Sequence, residues 1–347
     1  MPDKLVVVVP GFGSRTKGSC LDTVIKGLER FAVLHGANLQ PDDGGDTASH
    51  KYTYYEFPNE TTSLRFKEAY WGDLVIPLTD KSPLSKMING FLIVSFWIFS
   101  LRVVKVALSN RFLLFWSVFS AITMLMWYYG VTASFLTFLG TDEGKSLLPA
   151  AIHSDMVEPL VAIGKWMGGL KAWAIASALL IVLPINAIVD VAYSTRRYFQ
   201  NDDDMAAVIQ TRIASVVNDA RKDDVSSVVV VAHSFGAVAA LQALSEFTSD
   251  RPVHLITVGS PLAIACARSS ALEKSTQDLL GNESIKSWND IYSNDDWMCS
   301  APPVKDGQPR FAAHSLKLPS GFSGQTATKA HFAYFNEDLL YELILSR

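Results

Sequence analysis

A long uncharged run near the middle of the sequence places the strongest constraint on the fold. It covers residues 112–140, FLLFWSVFSAITMLMWYYGVTASFLTFLG, which is 29 residues. A helix needs about 20 apolar residues to cross the hydrocarbon core of a bilayer, so this run can span one with some tilt. A helix buried in a protein core is the other interpretation, and the length of the run favours the membrane.

Two further apolar stretches lie on either side of this run. Residues 88–108 contain Arg102 and Lys105, whereas residues 172–189 contain no charge and one proline. Each could be a membrane helix or a buried core helix. With the central run they predict a hydrophobic helical insertion over residues 81–200, either transmembrane or monotopic, which also offers a surface for oligomerisation.

The sequence on both sides of the insertion predicts an α/β domain in two parts, residues 1–80 and 201–347. KLVVVVPGFGS, near the start, predicts a buried strand and then a glycine-rich turn. Residues 227–232 predict another buried strand, followed by a helix over 236–248. Strands that are apolar throughout and alternate with helices indicate a mostly parallel sheet covered by helices.

One strand–helix junction carries a chemical signal. Residues 228–244 read VVVVAHSFGAVAALQAL, and Ser234 stands at the change from strand to helix. A tight strand–turn–helix exposes its central serine and needs small residues two positions before and after it, usually as G-x-S-x-G. Here these positions hold Ala232 and Gly236. The pattern predicts Ser234 as a nucleophile, with a simple helix N-cap as the alternative.

The junction resembles the α/β-hydrolase superfamily, in its lipase/esterase-like branch. In that family one oxyanion-hole N–H comes from a loop after an early strand and the other from the residue after the nucleophile. The resemblance implies the backbone N–H groups of Phe12, in the loop Pro10–Gly13, and of Phe235. A phosphate-binding turn is the alternative for this loop, but the loop lacks the GxGxxG spacing and the Lys-Ser/Thr pair. His233 is expected to support the loop rather than to transfer protons.

The resemblance also implies the chain order Ser, acid, His. His331 lies just before the terminal helix, as the base does in that family, and is favoured over His314, which lies in a predicted strand. The segment SWNDIYSNDDWM offers three carboxylates, Asp290, Asp295 and Asp296. The family's spacing after the strand tyrosine favours Asp296, with Asp295 as the alternative acid.

A shared site limits how the chain can cross a membrane. Because Phe12 precedes the insertion and Ser234 follows it, the number of full crossings between them must be even. One pairing joins stretches 88–108 and 112–140 in a hairpin. The other joins 112–140 with 172–189, and 88–108 then lies in the interface. A monotopic platform without any span is a third possibility.

Basic residues favour the second pairing. It leaves seven of them on the catalytic side, namely Lys81, Lys86, Arg102, Lys105, Arg111, Arg196 and Arg197. Positive residues accumulate on the cytoplasmic side of membrane proteins, so the catalytic domain is expected in the cytoplasm and the protein at a membrane.

These observations predict a membrane-anchored serine hydrolase that cleaves carboxylic esters, lipid-derived as by a lipase or phospholipase, through a Ser-His-Asp triad and an acyl-enzyme. A thioesterase or acyltransferase with the same triad, and a non-catalytic membrane module, are the alternatives. The expected partners are the lipid bilayer and a lipid or acyl-ester substrate. The net charge of −4 gives no reason to expect nucleic acid. Three distant cysteines predict no metal site, and the chemistry requires no cofactor.

Overall fold

The computed structural model of the chain describes most of its residues. The described ranges are 3–13, 16–41, 50–56, 60–76, 85, 88–89, 92–93, 95–96, 100–109, 111–146, 154–169, 185–219, 225–296, 298–305, 307–318 and 329–346. Most of the third apolar stretch, residues 172–184, lies outside them.

A single eight-stranded sheet organises the described residues. Its strands are β1 (Asp3–Val9), β2 (Asn38–Pro41), β3 (His50–Glu56), β4 (Glu60–Glu68), β5 (Ser227–His233), β6 (Val253–Val258), β7 (Ile285–Tyr292) and β8 (Phe311–Ser315). They pair in the order β2-β3-β4-β1-β5-β6-β7-β8. Only the pairs β2–β3 and β3–β4 are antiparallel, so β3 alone runs against the rest. The predicted mostly parallel sheet is confirmed.

Twelve helices are described. They are α1 (Ser19–Leu34), α2 (Leu101–Ser109), α3 (Arg111–Phe138), α4 (Asp142–Ser146), α5 (Ser154–Gly169), α6 (Ile185–Gln200), α7 (Met205–Asn218), α8 (Phe235–Ser245), α9 (Leu262–Arg268), α10 (Ser270–Gly281), α11 (Lys329–Ala333) and α12 (Asp338–Leu345). The sequence predicts a helix from residue 203, but α7 begins at Met205. Asp203 and Asp204 adopt left-handed backbone, with φ of 54° and 55°, which a helix cannot include.

Helices cover both faces of the sheet. On one face, α1 and α12 pack in a single buried cluster with Val6 and Val8 of β1 and with Val229 and Val231 of β5. Because side chains alternate along a strand, the remaining valines of β1 and β5 point the other way. There α8 contacts β5 and β1, and α7 contacts β1. Burial on both faces explains the unbroken apolar runs in these two strands, residues 5–9 and 228–232.

The path of the chain singles out one end of the sheet. From β1 the chain adds β2, β3 and β4 on one side, and it then adds β5 to β8 in order on the other side. The strand order therefore reverses between β1 and β5. In open α/β sheets ligands bind at the carboxyl ends of the strands beside such a switch point. These ends lead into Pro10–Gly13 and Ser234.

The chain divides into two compact units. One comprises Met1–Ile76, Ser100–Leu113 and Ser194–Arg347, and the other comprises Pro77–Phe99 and Leu114–Tyr193. Among the described residues, no helix combines the length and the apolar character that crossing a membrane requires. The spans, and the division at residues 80 and 200, stay predictions.

Candidate active site

Ser234 has the backbone of a strained turn. β5 is buried along its whole length and ends at His233, and α8 begins at Phe235. Between them Ser234 has φ 55° and ψ −130°. Non-glycine residues in such conformations cost about 1–3 kcal/mol each and cluster at functional sites. The turn reverses the chain within one residue and leaves the Ser234 side chain half-buried at the carboxyl end of β5.

The turn depends on a close approach between α8 and β1. A Cβ atom on Gly236 would lie 2.5 Å from the Val9 carbonyl oxygen and 2.6 Å from the Pro10 carbonyl oxygen. Only glycine fits at this distance. The small residue that the sequence pattern requires after the serine therefore has a direct cause in the packing of α8 on β1.

The loop after β1 lies against the serine. A Cβ atom on Gly11 would lie 2.8 Å from Ser234 Cβ and 3.2 Å from Ser234 Oγ. The rings of Phe12 and Phe235 are both buried and stack with centroids 4.4 Å apart. The structure thus brings the two predicted oxyanion-hole residues side by side and next to the predicted nucleophile.

Asp296 and His331 form a buried pair. His331 Nδ1 lies 2.7 Å from Asp296 Oδ2, and the two side chains are 4% and 1% exposed. Because a carboxylate only accepts hydrogen bonds, Nδ1 carries the hydrogen, and Nε2 of the neutral imidazole is then free to accept a proton. Asp296 follows β7 and His331 lies in α11, so two separate segments meet here.

His233 connects this pair to the turn at Ser234. Its Nε2 lies 2.9 Å from the backbone carbonyl oxygen of His331, to which it donates. The two imidazole rings are 4.7 Å apart. Burial and the neighbouring His331 lower the pKa of His233 to about 3. His233 is therefore neutral at physiological pH, and its side chain holds the backbone of His331.

The loop after β1 also reaches the histidine segment. A Cβ atom on Gly13 would lie 3.7 Å from Phe332 Cζ. Pro10–Gly13 therefore contacts Ser234 through Gly11 and approaches the segment of His331 through Gly13. The serine, the loop and the histidine–aspartate pair lie at the same end of the sheet, beyond the carboxyl ends of its parallel strands.

The other candidate residues have different partners. His314 lies on β8, with Nε2 2.9 Å from Asn289 Oδ1. The carboxylate that meets His331 belongs to Asp296 and not to its half-buried neighbour Asp295. Asp290 is buried within β7 and accepts hydrogen bonds from the Ser260 and Thr257 hydroxyls.

Burial raises the pKa of Asp290 to about 7. Its Oδ2 atom has no hydrogen-bond partner among the described residues. A carboxyl in these surroundings keeps its proton in mildly acidic solution and belongs to the core of the sheet.

Two contacts of Asp296 were not predicted from the sequence. The Tyr334 hydroxyl donates to Oδ2 at 3.1 Å, and the Met298 backbone N–H donates to Oδ1 at 3.0 Å. The signal for Tyr334 is its spacing, since it follows His331 by three residues and shares one side of a helical turn with it. The backbone contact of Met298 leaves no signal in the sequence.

No metal centre is found in the parts of the chain that the structure describes, where no three His, Cys, Asp or Glu side chains are grouped to hold an ion. The absence of a cofactor stays a prediction. No known protein family, curated protein or solved structure matches the chain.

Proposed function

We propose that the protein is a serine hydrolase of the α/β-hydrolase type, lipase/esterase-like, that cleaves carboxylic esters. The observation that supports this most is the strained backbone of Ser234 at the end of a buried central strand. The Asp296–His331 pair lies at the same end of the sheet. A serine hydroxyl is a poor nucleophile unless a base takes its proton, and a carboxylate keeps that base in the right orientation.

The reaction assigns one role to each residue. Ser234 Oγ attacks the ester carbonyl carbon while His331 Nε2 takes the hydroxyl proton. The carbonyl oxygen gains negative charge, which the backbone N–H groups of Phe12 and Phe235 stabilise. His331 returns the proton to the leaving alcohol and Asp296 stabilises the imidazolium in between. A water molecule, activated by His331, then hydrolyses the acyl-enzyme.

We propose a lipid as the source of the ester. The support from the sequence is the uncharged run 112–140, whose length is sufficient for a helix that enters a bilayer. In the same compact unit as Ser234, α2 exposes Leu101, Val104 and Leu108 on one side, next to Lys105. An apolar helix face flanked by a basic residue is typical of helices that lie at the surface of a bilayer.

A membrane location with a cytoplasmic catalytic domain completes the proposal. Its support is the sequence, in which basic residues flank the apolar stretches on the side of Ser234. Cysteine labelling of intact cells, with single cysteines introduced at Thr141 and Asp278, tests it. A thiol reagent that cannot cross the membrane should label the cysteine at position 141 and not the cysteine at position 278. Labelling at position 278 would place the catalytic domain outside the cell.

Labelling with a fluorophosphonate probe tests the serine chemistry. Detergent-solubilised wild type should bind the probe covalently, whereas Ser234→Ala should not. Ser260→Ala is the matched control, because Ser260 is a buried serine whose hydroxyl donates to Asp290. Unlabelled wild type would instead favour a non-catalytic membrane module.

The acceptor and the substrate need separate assays. Hydrolysis of a p-nitrophenyl ester with and without added alcohols distinguishes a hydrolase from an acyltransferase, and an acyl thioester tests for thioesterase activity. Mass spectrometry of lipids from cells that express wild type or Ser234→Ala should show one lipid class that falls with wild type alone.

A further inference from the structure

Asp296 is held by more donors than the histidine alone. Oδ2 accepts from His331 Nδ1 at 2.7 Å and from the Tyr334 hydroxyl at 3.1 Å. Oδ1 accepts from the Met298 backbone N–H at 3.0 Å. The tyrosine and the histidine therefore share a single oxygen atom, and both side chains are buried.

Two separate features of the chain place the tyrosine there. Tyr334 begins a short 3-10 turn directly after α11, which carries His331. The second feature is Gly259, directly after β6, which has a φ of 56°. A Cβ atom on Gly259 would lie 2.7 Å from Tyr334 Cε2. The left-handed glycine leaves room for the ring beside the carboxylate.

The hydroxyl of Tyr334 remains a donor at every working pH. Burial first, and then the neighbouring Cys299 and Asp296, raise the pKa of Tyr334 above its ordinary value. A phenol that keeps its proton can only donate to a carboxylate oxygen.

We propose that Tyr334 is a positioning residue that acts on His331 through Asp296. Its hydroxyl fixes Oδ2 in line with His331 Nδ1 and draws part of the carboxylate charge away from the imidazole. The inference rests on the proposed serine hydrolase activity. It adds a fourth side chain, outside the Ser-His-Asp set, that determines how strongly the base holds its proton.

Tyr334→Phe tests this directly, because it removes the hydroxyl and keeps the ring. Ester hydrolysis should show kcat lowered about tenfold, because Oδ2 is no longer held in line with His331 Nδ1, with KM within about twofold of wild type. Without the donor the carboxylate stabilises the imidazolium more strongly. The acidic limb of the pH–rate profile should therefore move to higher pH.

Tyr341→Phe is the matched control. Tyr341 is also a buried tyrosine of the C-terminal segment, and its hydroxyl donates to the Phe335 carbonyl oxygen at 2.7 Å. Removal of this hydroxyl should lower the melting temperature but leave kcat and the pH–rate profile as in wild type. If both variants lower kcat equally with unchanged pH profiles, the Tyr334 hydroxyl is merely structural and the inference is wrong.

A double-mutant cycle gives a second readout. In an Asp296→Asn background the Tyr334→Phe change should cost less than about twofold in kcat, because its effect runs through the carboxylate. Equal losses in both backgrounds would overturn the inference. Failure of wild type to hydrolyse esters or to bind the fluorophosphonate would refute the proposed function itself, which separates the two failures.

Discussion

At the scale of single residues, Gly236 has no room for a side chain. Its Cβ position lies 2.5 Å from the Val9 carbonyl oxygen. We expect Gly236→Ala to push α8 away from β1 and to lower the free energy of unfolding by about 1–3 kcal/mol. The displaced turn should also slow fluorophosphonate labelling of Ser234 by at least about tenfold. Chemical denaturation and labelling time courses measure the two effects.

Gly281→Ala provides the comparison. Gly281 ends α10, and its Cβ position has no atom within 4 Å. Alanine is preferred over glycine in helices, so this variant should be as stable as wild type or slightly more stable. It should be labelled at the wild-type rate. Equal losses in the two variants would show that the approach of α8 to β1 is not what requires glycine at 236.

The sequence predicts some of these residues and misses others for a physical reason. Ser234 has a local signature, because one turn needs a small residue on each side of it. Asp296 could be favoured over Asp295 only through a family resemblance, since neighbouring loop carboxylates look alike until the fold brings one to His331. The spacing of Tyr334 three residues after His331 places it on the side of the base, but its contact with Asp296 forms only where separate segments meet in space.

At the scale of elements, the last helix ends against the first strand. Lys4 of β1 is buried, and its ammonium donates to the carbonyl oxygens of Ile344 at 3.2 Å, of Leu345 at 2.9 Å and of Ser346. The last carbonyls of a helix have no partner within it, and a cation there is favourable. Lys4→Met should therefore lower the free energy of unfolding by about 2–3 kcal/mol. Hydrogen exchange should accelerate in α12 more than in β5.

Lys286→Met is the control for this loss. Lys286 lies on β7, is exposed, and donates to the Glu283 carbonyl oxygen at 2.9 Å. Exposed groups contribute little, so its unfolding free energy should stay within about 0.5 kcal/mol of wild type. An equal loss in both variants would mean that the end of α12 does not depend on Lys4.

Elements with a strong local pattern were predicted closely. The strand expected at 227–232 is β5, and the helix expected at 236–248 is α8, three residues shorter at its end. The sequence also predicts a terminal helix over 335–346. That helix begins at Asp338, because residues 334–336 form a 3-10 turn. β2 was not predicted. Its four residues, NLQP, are mostly exposed and become a strand by pairing with β3.

At the scale of the whole molecule, two buried side chains give the stability opposite pH dependences. The pKa of His233 falls from 6.5 to about 3, mainly through burial. Between these values the unfolded chain binds a proton that the folded chain does not, so stability falls as pH falls. Burial raises the pKa of Asp290 from 3.8 to about 7. Between these two values the folded chain holds a proton that the unfolded chain has lost, so stability falls as pH rises.

Between pH 4.5 and 6.5 the two contributions oppose each other. Replacing one of the two side chains should therefore expose the pH dependence that the other gives to stability. The difference in unfolding free energy between Asp290→Asn and wild type should increase by about 1.4 kcal/mol for each unit by which the pH is raised from 4.5 to 6.5. The corresponding difference for His233→Asn should fall by a similar amount over the same range. Urea denaturation of the three proteins at pH 4.5, 5.5 and 6.5 measures both slopes. Parallel curves would contradict the assigned protonation states, because only groups that titrate differently in the folded and unfolded chain can make such curves diverge.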